Sequence, residues 1–191
     1  MIKSNHKESH IQAVNERICK LLSEANINEL YVVFSSQGLE RETESIANLT
    51  TDDTTLLLMQ ALINNRTNYQ YLSILEQLLE IKYNNIFLNP KNAEMCHAFV
   101  GLIYETTSDL VAKYWQHNQL KECINFLLQI LRLLAYHKDE KSAQFGEYSF
   151  KSISHPDFLT KHLYKWCDVL FDFPFYLNLL SLVCGDPAIS D

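Results

Sequence analysis

Two histidines one helical turn apart, His6 and His10, open the sequence with the spacing of a two-histidine metal site. A zinc-protease helix places a glutamate directly after its first histidine. Here that position is Lys7, and the flanking residues are polar, so the pair reads as solvated surface. Glu94-Met-Cys-His97 matches the Glu-x-x-His element of di-iron helical bundles. Such a site needs two of these elements plus carboxylates from facing helices, and the chain has one copy. Cys96 beside His97 also supplies the residue types of a thiol nucleophile and its base. Adjacent positions on a helix point about 100° apart, however, so the two do not face each other. His155-Pro-Asp157, with His162, is the remaining cluster suited to acid–base work. It reads equally as a helix start, with Asp157 in the first turn where the dipole favours an anion. Glu76 and Glu80 lie one turn apart, and a lone carboxylate pair is ordinarily a solvated helix face.

Other chemistries lack their frame. Gly38, Gly101, Gly146 and Gly185 are too dispersed to build a phosphate-cradling loop or a dinucleotide fingerprint. A serine nucleophile elbow is absent as well. No catalytic residue, cofactor or metal ligand is therefore assigned. A helical enzyme or metal-binding protein working through Glu94 and His97, or through His155 and Asp157, is the weakest of the readings carried forward.

The elements that must position these residues are helical. Four Gly and four Pro in 191 residues are far below what the turns of an all-β fold require. Leucine dominates, and leucine loses little rotamer freedom in a helix. The formal charge of −7 is spread along the chain, which removes the basic footprint of a nucleic-acid binder and disfavours anionic membrane surfaces. Cys19, Cys96, Cys123, Cys167 and Cys184 are odd in number and widely spaced. They read as free thiols in a reducing compartment. Met1 to His10 is polar and no apolar leader follows, so the expected location is intracellular, cytoplasmic or nuclear, without a signal peptide.

Periodicity sets out the order of helices. Ile11, Val14, Ile18, Leu21 and Ala25 predict a first helix over about 6–25, with residues 1–9 expected to fray. A second, after an Asn26 or Asn28 cap, is expected to end at Gly38, although Tyr31-Val32-Val33-Phe34 has strand character. After a charged helical piece over 39–49, a threonine cap with Asp52 and Asp53 in the first turn starts the next helix. Asn64 and Asn65 are expected to stop it, through tolerance of the left-handed conformation. Residues 68–83 follow, with Tyr71, Leu75, Leu78 and Leu79 on one side. Asn89-Pro90 starts a helix to about His117, with a seam of Cys96, Phe99, Ile103, Leu110 and Tyr114. Gly101 within it marks a kink or a close helix–helix approach. Residues 120–137, apolar around most of the circumference apart from Asn125, Gln129 and Arg132, are expected at the centre of the domain.

Residues 138–155 form a long hydrophilic connection, and 156–185 read as an amphipathic helix, a break at Pro174 and an apolar closing helix. Phe175 to Cys184 is about ten residues, or about 15 Å of helix, half of what a bilayer core requires. This is no membrane span. The tail is either the last layer of the core or a surface for a partner.

These readings converge on an all-α, single-domain protein. It is expected to be an irregular helical bundle or a short α-solenoid with armadillo- or HEAT-like stacking of helices. The expected function is non-catalytic: a scaffold or adaptor that binds another protein through a helix groove or an apolar helical surface. Trp166, Phe173, Phe175, Tyr176, Leu177 and Leu180 are the candidate partner-binding residues, with Trp115 a further aromatic anchor. An acidic inhibitor or immunity-type protein capping a basic target is the alternative. The partner is then a protein, with a second copy of the chain as a further candidate, and not a nucleic acid or a membrane.

Overall fold

Short polar side chains ahead of apolar runs decide where several of the helices begin. A computed structural model describes residues 2–35, 45–113 and 120–140. Among the described residues there are eight α-helices and no strand: α1 (Ile2–Ser23), α2 (Ile27–Ser35), α3 (Ile46–Leu49), α4 (Asp52–Gln60), α5 (Leu62–Asn65), α6 (Tyr69–Phe87), α7 (Ala93–Lys113) and α8 (Leu120–Glu140). The chain divides into two compact units, Met1–Ile86 and Phe87–Asp191.

In the first unit α1 packs against α2, α3 and α4, and α2 against α3. Helix α1 begins at Ile2, ahead of its apolar pattern, because Lys and Glu sustain a helix without contributing to its periodicity. It closes with Ala25 in the left-handed conformation, φ 53°. The Asn26 N–H donates back to the Leu21 carbonyl at 2.9 Å and the Ala25 N–H to Leu22 at 3.1 Å, which is the Schellman pattern. Asn26 then caps α2: its Oδ1 accepts from the Glu29 N–H, while its amide donates to the Glu29 carboxylate. The Tyr31–Phe34 run is helical because the core takes Ile27, Leu30 and Phe34, a 3.6-residue period, and leaves Val32 outside.

Thr51 caps α4 as the sequence implies, its hydroxyl accepting from the Thr54 N–H, with Asp52 and Asp53 in the first turn. The helix breaks at Ala61, and the short α5 stops at Asn65. The stop is where the asparagines predict it, but the reason differs. The Asn65 amide donates to the Ala61 carbonyl, and Arg66 after it stays right-handed. Asn68 then caps α6 by accepting from the Tyr71 N–H. Tyr71, Leu72, Ser73, Ile74 and Leu75 are consecutive and all buried, so this part of α6 is enclosed around its circumference rather than on one side. The Tyr71 hydroxyl donates to the Leu58 carbonyl, which lets a phenol sit in that core.

The second unit rests on α7 against α8. Asn89 accepts from the Lys91 N–H and starts a single 3-10 turn, Pro90–Asn92, that leads into α7. Cys96, Phe99, Ile103 and Leu110 are buried along one seam, as their spacing predicts. Phe87 meets Phe99 edge to face, ring centres 6.2 Å apart. A Cβ added at Gly101 would meet nothing within 4 Å, and α7 continues through it, so none of the described helices crosses closely there. Cys123, Ile124, Leu127, Leu128, Ile130, Leu131 and Leu134 of α8 are buried. The expected end of the second helix at Gly38, the reach of α7 beyond Lys113, the 138–155 connection past Glu140 and the 156–185 tail lie outside the described residues.

Candidate functional site

Among the described residues, those with chemical potential stand on more than one helix. His10 is exposed on α1. Glu94 and His97 are exposed on α7, where they line a shallow hollow with Ala93 and Ala98. Cys96, next to His97, is fully buried, so the two do face apart. Burial pushes the Cys96 thiol up to about 12, away from the thiolate that a nucleophile or metal ligand requires. The Cys123 thiol is raised to about 11 by burial and by the charge of Glu122, against a lowering backbone hydrogen bond. Burial likewise raises the phenols of Tyr71 and Tyr104. Among the described residues no three His, Cys, Asp or Glu side chains come close enough to share a metal ion. His155, Asp157, His162 and the proposed partner-binding set Trp166, Phe173, Phe175, Tyr176, Leu177 and Leu180 lie outside the described residues, as does Trp115. No described helix is long and apolar enough to cross a membrane.

A further feature is centred on Asn15, a residue to which the sequence assigns no role. Asn15 stands on the inward side of α1, between Ile11 and Ile18, and is buried. Its amide nitrogen donates to the Ile11 carbonyl at 2.7 Å and to the Leu49 carbonyl at 2.9 Å. Its oxygen accepts from the Thr51 N–H at 2.8 Å, and the Thr51 hydroxyl lies 3.2 Å from the same atom. Both amide hydrogens and the carbonyl oxygen are thus engaged, and this pattern fixes which end of the amide is which. The clasp ties the α3–α4 junction to the middle of α1. An asparagine interrupting an apolar face was visible in the sequence; its partners, 34 and 36 residues further on, were not.

Beside this clasp a shallow hollow runs along α1, with Thr51 on its far side. Ile11, Asn15 and Cys19 form its floor, and Glu8, Gln12 and Glu16 its solvent side, at positions four residues apart. The Asn15 amide is spent on the backbone, so the floor offers mainly apolar contact. The Gln12 amide donates to the Glu16 carboxylate at 2.8 Å. The α1 cations further along are already engaged: Arg17 with Glu29 at 3.1 Å and Lys20 with Glu24 at 3.8 Å. Cys19, half-buried, is a free thiol. Large apolar side chains also stand exposed elsewhere in this unit, notably Val32 at 60% and Ile63 at 62%. Compared with protein families, with characterised proteins and with solved structures, the chain matches none of them.

Proposed function

We propose that this chain is a non-catalytic interaction module, a scaffold or adaptor whose helices present a surface to a segment of another protein. The observation that carries the reading is the α1 hollow. It has an apolar floor, a polar solvent side, and a central amide with no hydrogen-bonding capacity left for a substrate. A surface of that kind suits side chains of a docking protein better than a small molecule, which ordinarily takes a deeper pocket with converging polar groups. Burial of the Cys96 and Cys123 thiols and the exposed positions of His10, Glu94 and His97 support a binding role over a reactive one. Armadillo- or HEAT-like stacking of successive helices is our proposal for the arrangement that displays the surface. The free Cys19 thiol is compatible with a reducing, intracellular setting. The tail residues Trp166, Phe173, Phe175, Tyr176, Leu177 and Leu180 are proposed as a second contact surface on their sequence pattern alone.

A second reading, an acidic inhibitor capping a basic target, draws support from the net charge of −7 and from Glu8 and Glu16 along the hollow. One experiment addresses both. A photo-crosslinking amino acid is placed at Gln12 and, separately, at Tyr176 of the full chain, in cells that make the protein. A discrete crosslinked protein from Gln12 is the expected result. Crosslinks from Tyr176 alone would move the interface to the tail, and none from either position would overturn the interaction reading.

A further inference from the structure

We infer that the α1 hollow accepts a basic, amphipathic helical segment of a partner protein, with apolar side chains on its floor and two cations against Glu8 and Glu16. The inference rests on the interaction reading and adds the chemistry of the occupant. Three features of the hollow define that chemistry.

The first is shape. The lining positions of α1 run from Glu8 to Cys19, three helical turns or about 16 Å, on a continuous strip beside the buried face. An occupant lying along it is matched in length by about three turns of helix.

The second is the floor. Ile11 and Cys19 supply apolar contact, and Asn15 between them has its amide committed to Ile11, Leu49 and Thr51. A polar side chain placed there would lose water without gaining a partner, so the floor selects apolar residues.

The third is charge. Among the described residues Glu8 and Glu16 are the only carboxylates lining the hollow, and no described Lys, Arg or His lines it. Among the described residues neither has an ion-pair partner, while Arg17 and Lys20 are held by Glu29 and Glu24. The two carboxylates are eight residues apart, about 12 Å along the axis. Lys or Arg residues two turns apart on one side of an incoming helix meet that spacing. A segment with acidic residues there would face like charge, so the same pair rejects acidic helices.

The test is a selection of phage-displayed helical peptides on the immobilised full chain, followed by affinity measurement with the winners as free labelled peptides. Enriched sequences should carry Lys or Arg seven or eight residues apart around apolar positions. Their affinity should fall about tenfold for the Glu8→Gln/Glu16→Gln double variant, whose changes are on exposed side chains, and should fall again as salt is raised. Ile11→Ser should weaken the same peptides without changing the salt dependence of what remains. Bound peptide should also slow alkylation of Cys19, read by mass spectrometry on its own proteolytic fragment.

Enriched peptides without a basic preference, equal affinity for the double variant, or unprotected Cys19 would each overturn the assignment. Crosslinks at Gln12 without any peptide enriched would overturn the basic-helix occupant and leave the interaction reading in place. Basic peptides binding as expected, with no crosslink from Gln12 in cells, would support the chemistry of the hollow and count against the module's proposed role.

Discussion

Ala25 carries a backbone conformation that its side chain disfavours. In the left-handed region an L-residue brings its Cβ close to the following carbonyl, at a cost of roughly 1 kcal/mol, and glycine escapes that cost. Ala25→Gly should therefore stabilise the protein by up to about 1 kcal/mol, seen as a higher urea midpoint with an unchanged slope. No fall in stability is expected unless the alanine methyl is packed tightly, and Ala25 is exposed. Asn15 predicts the opposite sign. Asn15→Ala removes the partners of the Leu49 carbonyl and the Thr51 N–H, at a cost of about 2 kcal/mol or more. Asn15→Asp should be worse despite its similar size, because a carboxylate has no hydrogen for the two carbonyls and places negative charge against both. Equal midpoints for wild type and Asn15→Asp would show that the clasp carries no stability. These two positions also mark the edge of what sequence can say. Thr51, Asn26 and Asn89 are caps, and a cap acts on the next three residues, so each was legible. Ala25 has no such signature, because its conformation is imposed by the turn into α2. Asn15 was conspicuous as a residue and opaque as a contact, since its meaning depends on a junction more than thirty residues away.

Helices α2 and α7 show how far periodicity alone can lead. Four β-branched and aromatic residues at Tyr31–Phe34 resembled a strand. The run is helical because Ile27, Leu30 and Phe34 are buried on one face, and that burial outweighs local propensity. In α7 the seam of Cys96, Phe99, Ile103 and Leu110 was legible for the same reason. Gly101 was not, because a glycine in a helix signals either a close neighbour or none at all. With open space around the position, Gly101→Ala gains helix propensity without a clash and should stabilise by about 1 kcal/mol. Thermal denaturation checks this; a loss of stability would mean that the backbone needs glycine's freedom there. The break at Ala61 between α4 and α5 had no sequence signal either. Neither glycine nor proline is present, and the chain simply turns with Ala61 still right-handed.

At the scale of the molecule, buried acids that stay neutral set the response to alkali. The Cys96 thiol keeps its proton to about pH 12 in the folded state and Cys123 to about 11, against an ordinary value of 9.0 once unfolded. Between those limits the unfolded chain binds fewer protons than the folded one, so stability falls as pH rises. Tyr71 and Tyr104 add to the same trend from pH 10.0 upward. The urea midpoint, followed under reducing conditions, should show no loss from these groups below about pH 9 and a progressive loss above it. Replacing Cys96 and Cys123 together by alanine should lower stability at neutral pH, through lost packing, and flatten the alkaline decline. An unchanged decline would assign it to the tyrosines. The helical architecture of the described residues was legible in composition, because four glycines and four prolines are far fewer than the turns of an all-β fold ordinarily use. The α1 hollow was not legible at any of these levels, because it requires Thr51 to lie beside α1.

The clasp at Asn15 also gives Thr51 a backbone proton unlike its neighbours'. The Thr55 N–H donates to the Thr51 carbonyl inside α4, but the Thr51 N–H donates to a side chain of another helix. Its exchange with solvent deuterium therefore reports the lifting of α1 from the α3–α4 junction, separately from fraying of α4. In Asn15→Ala, Thr51 should exchange at close to the rate of an unprotected amide while Thr55 remains slow. Comparable acceleration at both would show that α1 and α4 open as one cooperative unit. A ligand seated along α1 would slow the Thr51 amide in the wild type, so one backbone proton can time how often the surface comes apart.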